Sequence, residues 1–204
     1  MPACTRWGEW AHGAGRGSCN MVCLTLGTGI GSGVVMGGRV LRGPRGVAGI
    51  LAGHLTVQVD GPRCICGNLG CLEALIGTGG LIRAAGLALA TGRPSALRDG
   101  PLDPVRIFAA AAGDAPAREV VRDFARRLGA GVVTMIHACD PDVVVPGGGM
   151  ARAAPQFLPA VQAYVDAHDW TTPLGRVRVV PAALGDEAAL VGMAKLARGT
   201  TLLS

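Results

Sequence analysis

The chain has 204 residues, of which half are hydrophobic, 33 are glycine and only 3% are aromatic, and its formal net charge is +5. This length and composition exclude a disordered chain and allow one substantial domain, or a domain with a fragment, around a buried core. They favour a tightly turned α/β protein rich in small aliphatic side chains.

The positive charge comes mostly from arginines that are scattered along the chain without interleaved aromatic residues. Such arginines are typical of solvated faces with some attraction for phosphorylated ligands, and they make nucleic-acid binding unlikely. No segment reaches the roughly 18 consecutive apolar residues that span a bilayer, and residues 1–17 lack a hydrophobic signal core. We therefore expect a cytoplasmic protein, whose reducing surroundings favour metal binding over disulfides for clustered thiols.

Strands and glycine turns are predicted for the first part of the chain. After a glycine-rich opening, residues 20–26 are typical of a buried strand, and an apolar run resumes at residues 34–36. Gly37 and Gly38 favour a tight hairpin turn, with residues 39–41 as the returning strand.

The first glycine-rich motif, GTGIGSG at residues 27–33, lies between two predicted strands. A dinucleotide-binding fingerprint must open a helix, so this motif is not one. It is typical of a hairpin that holds phosphate, in which bare backbone N–H groups approach the oxygens and Thr28 adds a hydroxyl. A plain glycine-rich hairpin explains the same residues.

The rest of the chain predicts helices that alternate with strands. We expect helices over residues 72–89, 106–138 (with a break near 113–116), 155–167 and 187–197, a loop over 91–104, and strands over 142–145 and 176–181. Asp186 is well placed to cap the last helix. This alternation predicts an α/β fold.

A second glycine motif, Gly147, Gly148 and Gly149, closes the predicted strand 142–145 and precedes a helix. A turn of this kind can lie against the flat face or the sugar of a nucleotide. A tight turn without a ligand accounts for it equally well.

One imidazole and three thiols are spaced as His54-x9-Cys64-x-Cys66-x4-Cys71. This set suits a tetrahedral ion, and zinc is its usual occupant because Zn²⁺ accepts both thiolate and imidazole ligands. Turn-forming residues between the ligands allow a short knuckle to fold back, and a closed site of four protein ligands would be structural. The alternative is four unrelated residues, with the thiols buried or paired as in secreted chains.

Taken together, five segments resemble the ROK family of sugar kinases and sugar-responsive repressors. In order they are GAGRG (13–17), LGTGIGSG (26–33), GHLTVQVDGPRCICGNLGCLE (53–73), DPDVVVPGGG (140–149) and RVRVVPAALGDEAALVGMA (176–194). The resemblance covers nearly the whole chain and implies an actin-like ATPase fold, related to ribonuclease H, with ATP between two lobes. Members phosphorylate glucose, mannose, fructose or N-acetylated hexosamines beside the zinc knuckle.

The resemblance also implies roles for individual residues in nucleotide binding. Thr28 and Gly29 would approach the phosphates of ATP, which binds with Mg²⁺, and residues 147–149 would lie on the nucleoside side. The sugar would be contacted by Glu73 and by His54, which would ligate zinc as well.

Two departures from the family pattern concern catalysis. We expect the small amino-terminal lobe with its D-x-G-G-T phosphate loop to be missing, and the catalytic aspartate, the general base for the attacking hydroxyl, would fall near Met1. No catalytic residue is therefore assigned. Leu51 stands three residues before His54, where the family has the glutamate of G-E-x-G-H, and it removes an acceptor worth about 1.5–3 kcal/mol.

These observations predict that residues 1–204 form the large lobe of a ROK sugar kinase that is inactive or impaired. Residues 53–73 would be the zinc knuckle, and the helix 187–197, which in the family returns to the small lobe, would be poorly supported. The family's substrates are ATP and a hexose or N-acetylhexosamine, and its members form homo-oligomers. Two alternatives are a fragment of a ROK repressor, for which these residues supply no helix-turn-helix, and a zinc-stabilised dimerisation or sugar-binding module.

Overall fold

The structure is a computed structural model and describes residues 2–170, 177–188, 190 and 192. Its helices are α1 (Pro2–His12), α2 (Leu72–Ile76), α3 (Thr78–Ala90), α4 (Pro104–Ala110), α5 (Ala115–Cys139) and α6 (Ala154–His168). Its strands are β1 (Met21–Leu26), β2 (Ile30–Met36), β3 (Arg39–Val40), β4 (Val143–Gly147) and β5 (Arg178–Val179). Short 3-10 turns cover Ala52–His54, Ala96–Asp99, Gly149–Ala153 and Gly185–Glu187. The predicted α/β fold is confirmed.

The strands form one mixed sheet in the order β3-β2-β1-β4-β5. β1 is antiparallel to β2 and parallel to β4, and β4 is parallel to β5. The register places Thr25 opposite Gly147, so β1 and β4 end at the same edge of the sheet. The glycine turns that follow these two strands therefore lie side by side, where α/β proteins usually bind their ligands.

Both faces of the sheet are covered, which explains the nearly continuous apolar sequence of the central strands. Val22, Leu24 and Leu26 face the main core, to which α5 and α6 contribute most of their buried residues. Met21 and Cys23 face a second, smaller cluster on the opposite side. α1 packs on β1 and β2, and the sheet is thus enclosed between helical layers.

Among the described helices, α5 is the longest, and it contributes many of the buried residues of the main core. Asp114 caps its first turn by accepting a hydrogen bond from the N–H of Ala117, and the chain leaves the helix at Asp140 in the left-handed conformation. The predicted break between α4 and α5 is confirmed. Phe108 and Phe124, one from each helix, meet Phe157 of α6 with ring centroids 5.1–5.7 Å apart.

The structure corrects three local predictions near the amino-terminal half. α1 occupies part of the segment that was expected to be only a glycine-rich opening. β2 begins at Ile30, whose buried side chain lies in the main core, so the loop after β1 is only residues 27–29. The predicted helix 72–89 is broken at Gly77, because the N–H of Thr78 bonds to the carbonyl of Gly27 instead of continuing the helix.

Two further predictions concern connecting and carboxy-terminal segments. The predicted loop 91–104 contains the 3-10 turn Ala96–Asp99. Asp186 lies inside the turn Gly185–Glu187, which is preceded by Leu184, so the prediction that Asp186 is the N-cap is wrong. Most of the predicted helix 187–197 lies outside the described residues.

Candidate metal knuckle and ligand cleft

The predicted zinc ligands come together at one corner of the molecule. His54 ends the turn Ala52–His54, Cys64 and Cys66 lie in the following loop, and Cys71 directly precedes α2. One ligand atom from each of the four residues lies within 4.8 Å of all the others. Spacing in sequence alone was therefore sufficient to identify this cluster.

The distances within the cluster suit a tetrahedral ion. Cys64 Sγ lies 3.6 Å from His54 Nδ1, and Cys66 Sγ lies 3.7 Å from Cys71 Sγ. A zinc ion with its usual bond lengths separates tetrahedral sulfur and nitrogen ligands by about 3.3–3.8 Å. The four residues could hold such an ion without a change of backbone.

Backbone hydrogen bonds and glycines fold the knuckle. The N–H of Cys64 donates to the carbonyl of Asn68 at 2.8 Å, and the N–H of Gly70 donates to the carbonyl of Pro62 at 2.9 Å. Gly67 and Gly70 have φ values of 91° and 62°, a region in which other residues are strained. The glycines of the sequence motif are therefore required by the turn itself.

The environment of the thiols differs along the knuckle. The backbone N–H of Asn68 lowers the pKa of Cys66, and the Asn68 side chain donates to Cys71 Sγ at 3.5 Å. Burial, together with the neighbouring thiols of Cys66 and Cys64, raises the pKa of Cys71 to about 12. A bound cation would lower the pKa of every thiol in contact with it, because it stabilises the thiolate.

Glu73 lies between the knuckle and the first glycine loop. Its Oε1 is 4.0 Å from Cys64 Sγ, and its Oε2 accepts a hydrogen bond from the N–H of Ile30 at 2.9 Å. A Cβ on Gly29 would lie only 2.6 Å from Glu73 Oε2, so a side chain there would have to displace this carboxylate. Since Cys64 also contacts His54, the two predicted sugar-binding residues share one corner with the glycine loop.

A cleft of about 730 Å³ opens beside this corner. Gly27 and Thr28 line it on the side of the first glycine loop, and Gly149 lines it on the side of the second. The cleft thus lies at the carboxyl ends of β1 and β4, as the sheet topology predicts. Its volume is in the range of small-molecule sites.

The predicted nucleotide-binding glycines have different positions around the cleft. Gly149 lines it, whereas Gly147 is paired within β4 and a Cβ there would lie 3.0 Å from that of Ala182. Gly148 has a φ of 84°, and a Cβ there would lie 2.6 Å from the carbonyl oxygen of Leu26. The second glycine turn therefore packs directly on the end of β1.

Sequence reasoning missed the other polar residues of the cleft. Thr78 lies at the start of α3, Asp103 directly precedes α4, and Arg152 and Gln156 come from the opposite wall. Asp103 followed by Pro104 is a recognisable helix start, but that signal gives no indication of a cleft. Tertiary packing of α4 against the turn Gly149–Ala153 brings these residues to the site.

A further residue that sequence reasoning missed is Glu9, which is fully buried. Its carboxylate accepts hydrogen bonds from the backbone N–H groups of Ala14, Ala183 and Leu184 at 2.8–3.0 Å. Three charge-assisted hydrogen bonds compensate for the burial of one carboxylate. Glu9 therefore fixes the GAGRG segment to the chain that follows β5.

The α/β fold and its mixed sheet match those of solved actin-like ROK proteins, which include sugar kinases and a transcriptional regulator. A ROK family glucokinase from Streptomyces griseus, solved with glucose and AMPPNP, is similar in structure. The match covers 97% of this chain and 66% of that one, at 33% identity and a TM-score of 0.82. A ROK family transcriptional regulator, a homologue of the E. coli MLC protein, matches 97% of this chain and 50% of that one, at 28% identity and a TM-score of 0.86. The ROK family model matches residues 3–200, and the chain belongs to the ROK family.

Curated relatives include both enzymes and a regulator. The glucokinase of Halalkalibacterium halodurans is 35% identical over 192 residues, which cover 91% of this chain and 58% of that protein. The xylose repressor of Bacillus spizizenii is 25% identical over 93% of this chain and 47% of that protein. The chain thus spans about three fifths of the length of the glucokinase. Among the described helices, none combines the length and apolar character needed to cross a bilayer.

Proposed function

We propose that this chain is the ATP- and sugar-binding lobe of a hexose kinase, a protein that transfers the γ-phosphoryl group of ATP to a sugar hydroxyl. The observation that carries the proposal is the cleft between Thr28 and Gly149 at the carboxyl ends of two parallel strands. Support comes from the glucokinase relatives at 33–35% identity and from the AMPPNP bound to the relative from Streptomyces griseus. The loop of Thr28 and Gly29 would approach the phosphates with their Mg²⁺, and residues 147–149 the nucleoside.

The sugar, a hexose or N-acetylhexosamine, would bind at the corner formed by His54 and Glu73. This corner adjoins the glycine loop because Glu73 Oε2 bonds to the N–H of Ile30. Phosphoryl transfer consists mainly of bringing the acceptor hydroxyl and the donor phosphate together in a polar site. A carboxylate that belongs to both subsites supports a transfer reaction at this place.

The knuckle would hold one structural Zn²⁺ through His54, Cys64, Cys66 and Cys71. The donor set and the 3.6–3.7 Å spacings support zinc over harder cations, which prefer oxygen ligands. Four protein ligands leave no open position for a water or substrate. The ion would therefore fix the loop that carries His54, and its role would be structural.

Leu51 would weaken sugar binding by this chain. It stands three residues before His54, where the family pattern has glutamate, and its aliphatic side chain, 49% exposed, has no polar atom to offer a sugar hydroxyl. Loss of one charge-assisted hydrogen bond costs about 1.5–3 kcal/mol. We therefore expect low or undetectable turnover even though the nucleotide loops are present.

A second candidate function is sugar sensing without catalysis, as in a repressor. The regulator with a TM-score of 0.86 and the xylose repressor cover 97% and 93% of this chain, as much as the kinases do. Nucleotide binding separates the two candidates.

Isothermal titration calorimetry with AMPPNP and Mg²⁺, and separately with glucose, mannose and N-acetylmannosamine, tests the proposal. We expect AMPPNP to bind and Thr28→Ala to weaken that binding. Thr134→Ala removes an exposed hydroxyl of α5 outside the cleft and should leave binding unchanged. Sugar binding without AMPPNP binding would favour the sensor, and binding of neither ligand would refute both functions.

A further inference from the structure

Asp103 occupies an unusual position in the cleft. It directly precedes α4 and caps that helix, since its Oδ1 accepts a hydrogen bond from the N–H of Arg106 at 2.9 Å. Its Oδ2 accepts no hydrogen bond from the residues that the structure describes. Asp103 is also the only carboxylate among the described residues that line the cleft.

The walls around Asp103 are largely apolar. Val105, Phe108 and Ala109 follow it along α4, and Met150 and Ala153 face them from the other side. Two apolar walls in a cleft lined by phosphate-type glycine turns suit a flat nucleoside base. One carboxylate oxygen in such a place needs a hydrogen-bond donor from the ligand, because an ionised carboxylate can only accept.

Charge restricts which part of a nucleotide Asp103 can contact. The phosphates are anionic, so direct contact with a carboxylate is repulsive. The remaining donors of ATP are the ribose hydroxyls and the exocyclic amine of the base. If the base lies flat on α4, its face contacts that helix. The exocyclic amine lies in the plane of the base and therefore does not point towards α4. The ribose lies out of the base plane and can direct a hydroxyl towards α4.

We propose that Oδ2 of Asp103 accepts a hydrogen bond from a ribose hydroxyl of the bound nucleotide and so selects ribonucleotides over deoxyribonucleotides. This inference rests on the proposed nucleotide-binding function of the cleft. Asp103 would have two roles with separate atoms: Oδ1 caps α4, and Oδ2 binds the ligand. The same side chain thereby couples the orientation of α4 to the presence of the ribose.

The test compares binding of ATP, 2′-deoxy-ATP, 3′-deoxy-ATP and ITP, each with Mg²⁺, by calorimetry on the whole chain. ITP keeps the ribose but lacks the amine of adenine. We expect the wild-type chain to bind ATP about 10- to 100-fold more tightly than at least one deoxy analogue, the range for one hydrogen bond to a charged group. ATP and ITP should differ less than ATP and that analogue.

Asp103→Ser separates the two roles of the side chain. Serine caps helices as well as aspartate does, but its single oxygen leaves no second acceptor for the ligand. We expect this variant to bind ATP and the deoxy analogues with similar affinity. Asp114→Ser makes the same exchange at the cap of α5, which does not line the cleft, and should lower the melting temperature without changing the ratio of ATP to deoxy-ATP affinity.

Three results would overturn the inference. Equal binding of ATP and both deoxy analogues by the wild-type chain would show that no ribose hydroxyl is recognised. Discrimination that survives in Asp103→Ser would assign it to another residue, and a preference for ATP over ITP that disappears in Asp103→Ser would assign the carboxylate to the base. In each case ATP still binds, so the proposed function stands; absence of ATP binding refutes both.

Discussion

Glu73 Oε2 accepts a hydrogen bond from the backbone N–H of Ile30 at 2.9 Å, across 43 residues of sequence. This bond ties the start of α2 to the end of the first glycine loop. A side chain at position 29 would have to displace the same carboxylate oxygen, which lies against Gly29. The geometry of the phosphate-type loop therefore depends on a residue that the family resemblance assigns to the sugar.

Glu73→Ala should weaken the binding of both ligands. The variant leaves the N–H of Ile30 without its partner, at a cost of about 1–3 kcal/mol, and it removes a candidate sugar acceptor. Calorimetry with AMPPNP and with glucose measures the two effects separately. Glu119→Ala, on the exposed face of α5, is the control. Unchanged AMPPNP affinity in Glu73→Ala would show that the loop keeps its shape without this bond.

The purified chain should contain one zinc ion per molecule. The reason is the convergence of His54, Cys64, Cys66 and Cys71, and metal analysis of protein prepared without added zinc is the measurement. Cys66→Ser should lower both the zinc content and the melting temperature, because the knuckle loses a thiolate ligand. Cys19→Ser, an exposed thiol outside the knuckle, should change neither. A wild-type zinc content near zero contradicts the prediction.

Leu51→Glu should strengthen sugar binding. It restores a carboxylate at the position where the family pattern has one, and a charge-assisted hydrogen bond corresponds to about a 10- to 100-fold change in affinity. Leu51 is half exposed, so the charge can be accommodated without burial. Leu87→Glu, on the exposed face of α3, controls for the added charge. Equal glucose affinity of Leu51→Glu and the wild-type chain would argue against a sugar site at this corner.

The wild-type chain should show no measurable ATP-dependent phosphorylation of glucose, mannose or N-acetylated hexosamines. Leu51 removes a carboxylate that would position the sugar hydroxyl for phosphoryl transfer. A coupled assay at high enzyme concentration is the measurement. Turnover that is abolished by Thr28→Ala would contradict the prediction, whereas turnover that survives this change would indicate a contaminating kinase.

Asp114 should make folding stability depend on acid pH. Burial alone would raise its pKa, but the N–H of Ala117, the hydroxyl of Ser95 and the N–H of Ala96 lower it below the usual 3.8. A carboxyl whose pKa is lower in the folded state stabilises the fold above its ordinary pKa, and this contribution is lost as the pH falls below it. Asp114→Asn should therefore lower the free energy of unfolding by about 1–2 kcal/mol at pH 7.

The same variant provides the pH control for that prediction. At pH 3, below the ordinary pKa of 3.8, the difference between Asp114→Asn and the wild-type chain should be smaller, because the unfolded wild-type chain then binds protons that folding must release. Chemical denaturation at the two pH values measures the difference. A gap between the proteins that widens at pH 3 would show that the carboxylate does not act through its ionised form.

Features encoded within a short stretch of sequence were predicted correctly. The knuckle ligands lie within 18 residues of one another, and glycine turns alone bring them together. The β1–β2 hairpin was visible as two apolar runs around a glycine loop. In both cases neighbouring residues along the chain supply the whole structure, so local spacing was sufficient.

Features that depend on distant contacts were missed. The break at Gly77 arises because Thr78 bonds to Gly27, and helix propensity alone tolerates an isolated glycine at a cost of about 1 kcal/mol. Asp103 reaches the cleft through packing of α4 against the turn Gly149–Ala153. The partners of Glu9 lie up to 175 residues away. No local pattern contains this information.

The buried carboxylate of Glu9 has a consequence for how this protein can vary among its relatives. Within the described part of the chain, the partners of Glu9 are the main-chain N–H groups of Ala14, Ala183 and Leu184, so these bonds do not depend on which side chains stand there. The bonds to Glu9 therefore exclude only proline at those three positions, since proline has no N–H to donate, although Ala14 also packs on the smaller cluster. If substitutions that keep the N–H at these three positions preserve folding and substitutions of Glu9 do not, the constraint at this site acts on the path of the main chain and not on the side chains of the three donors.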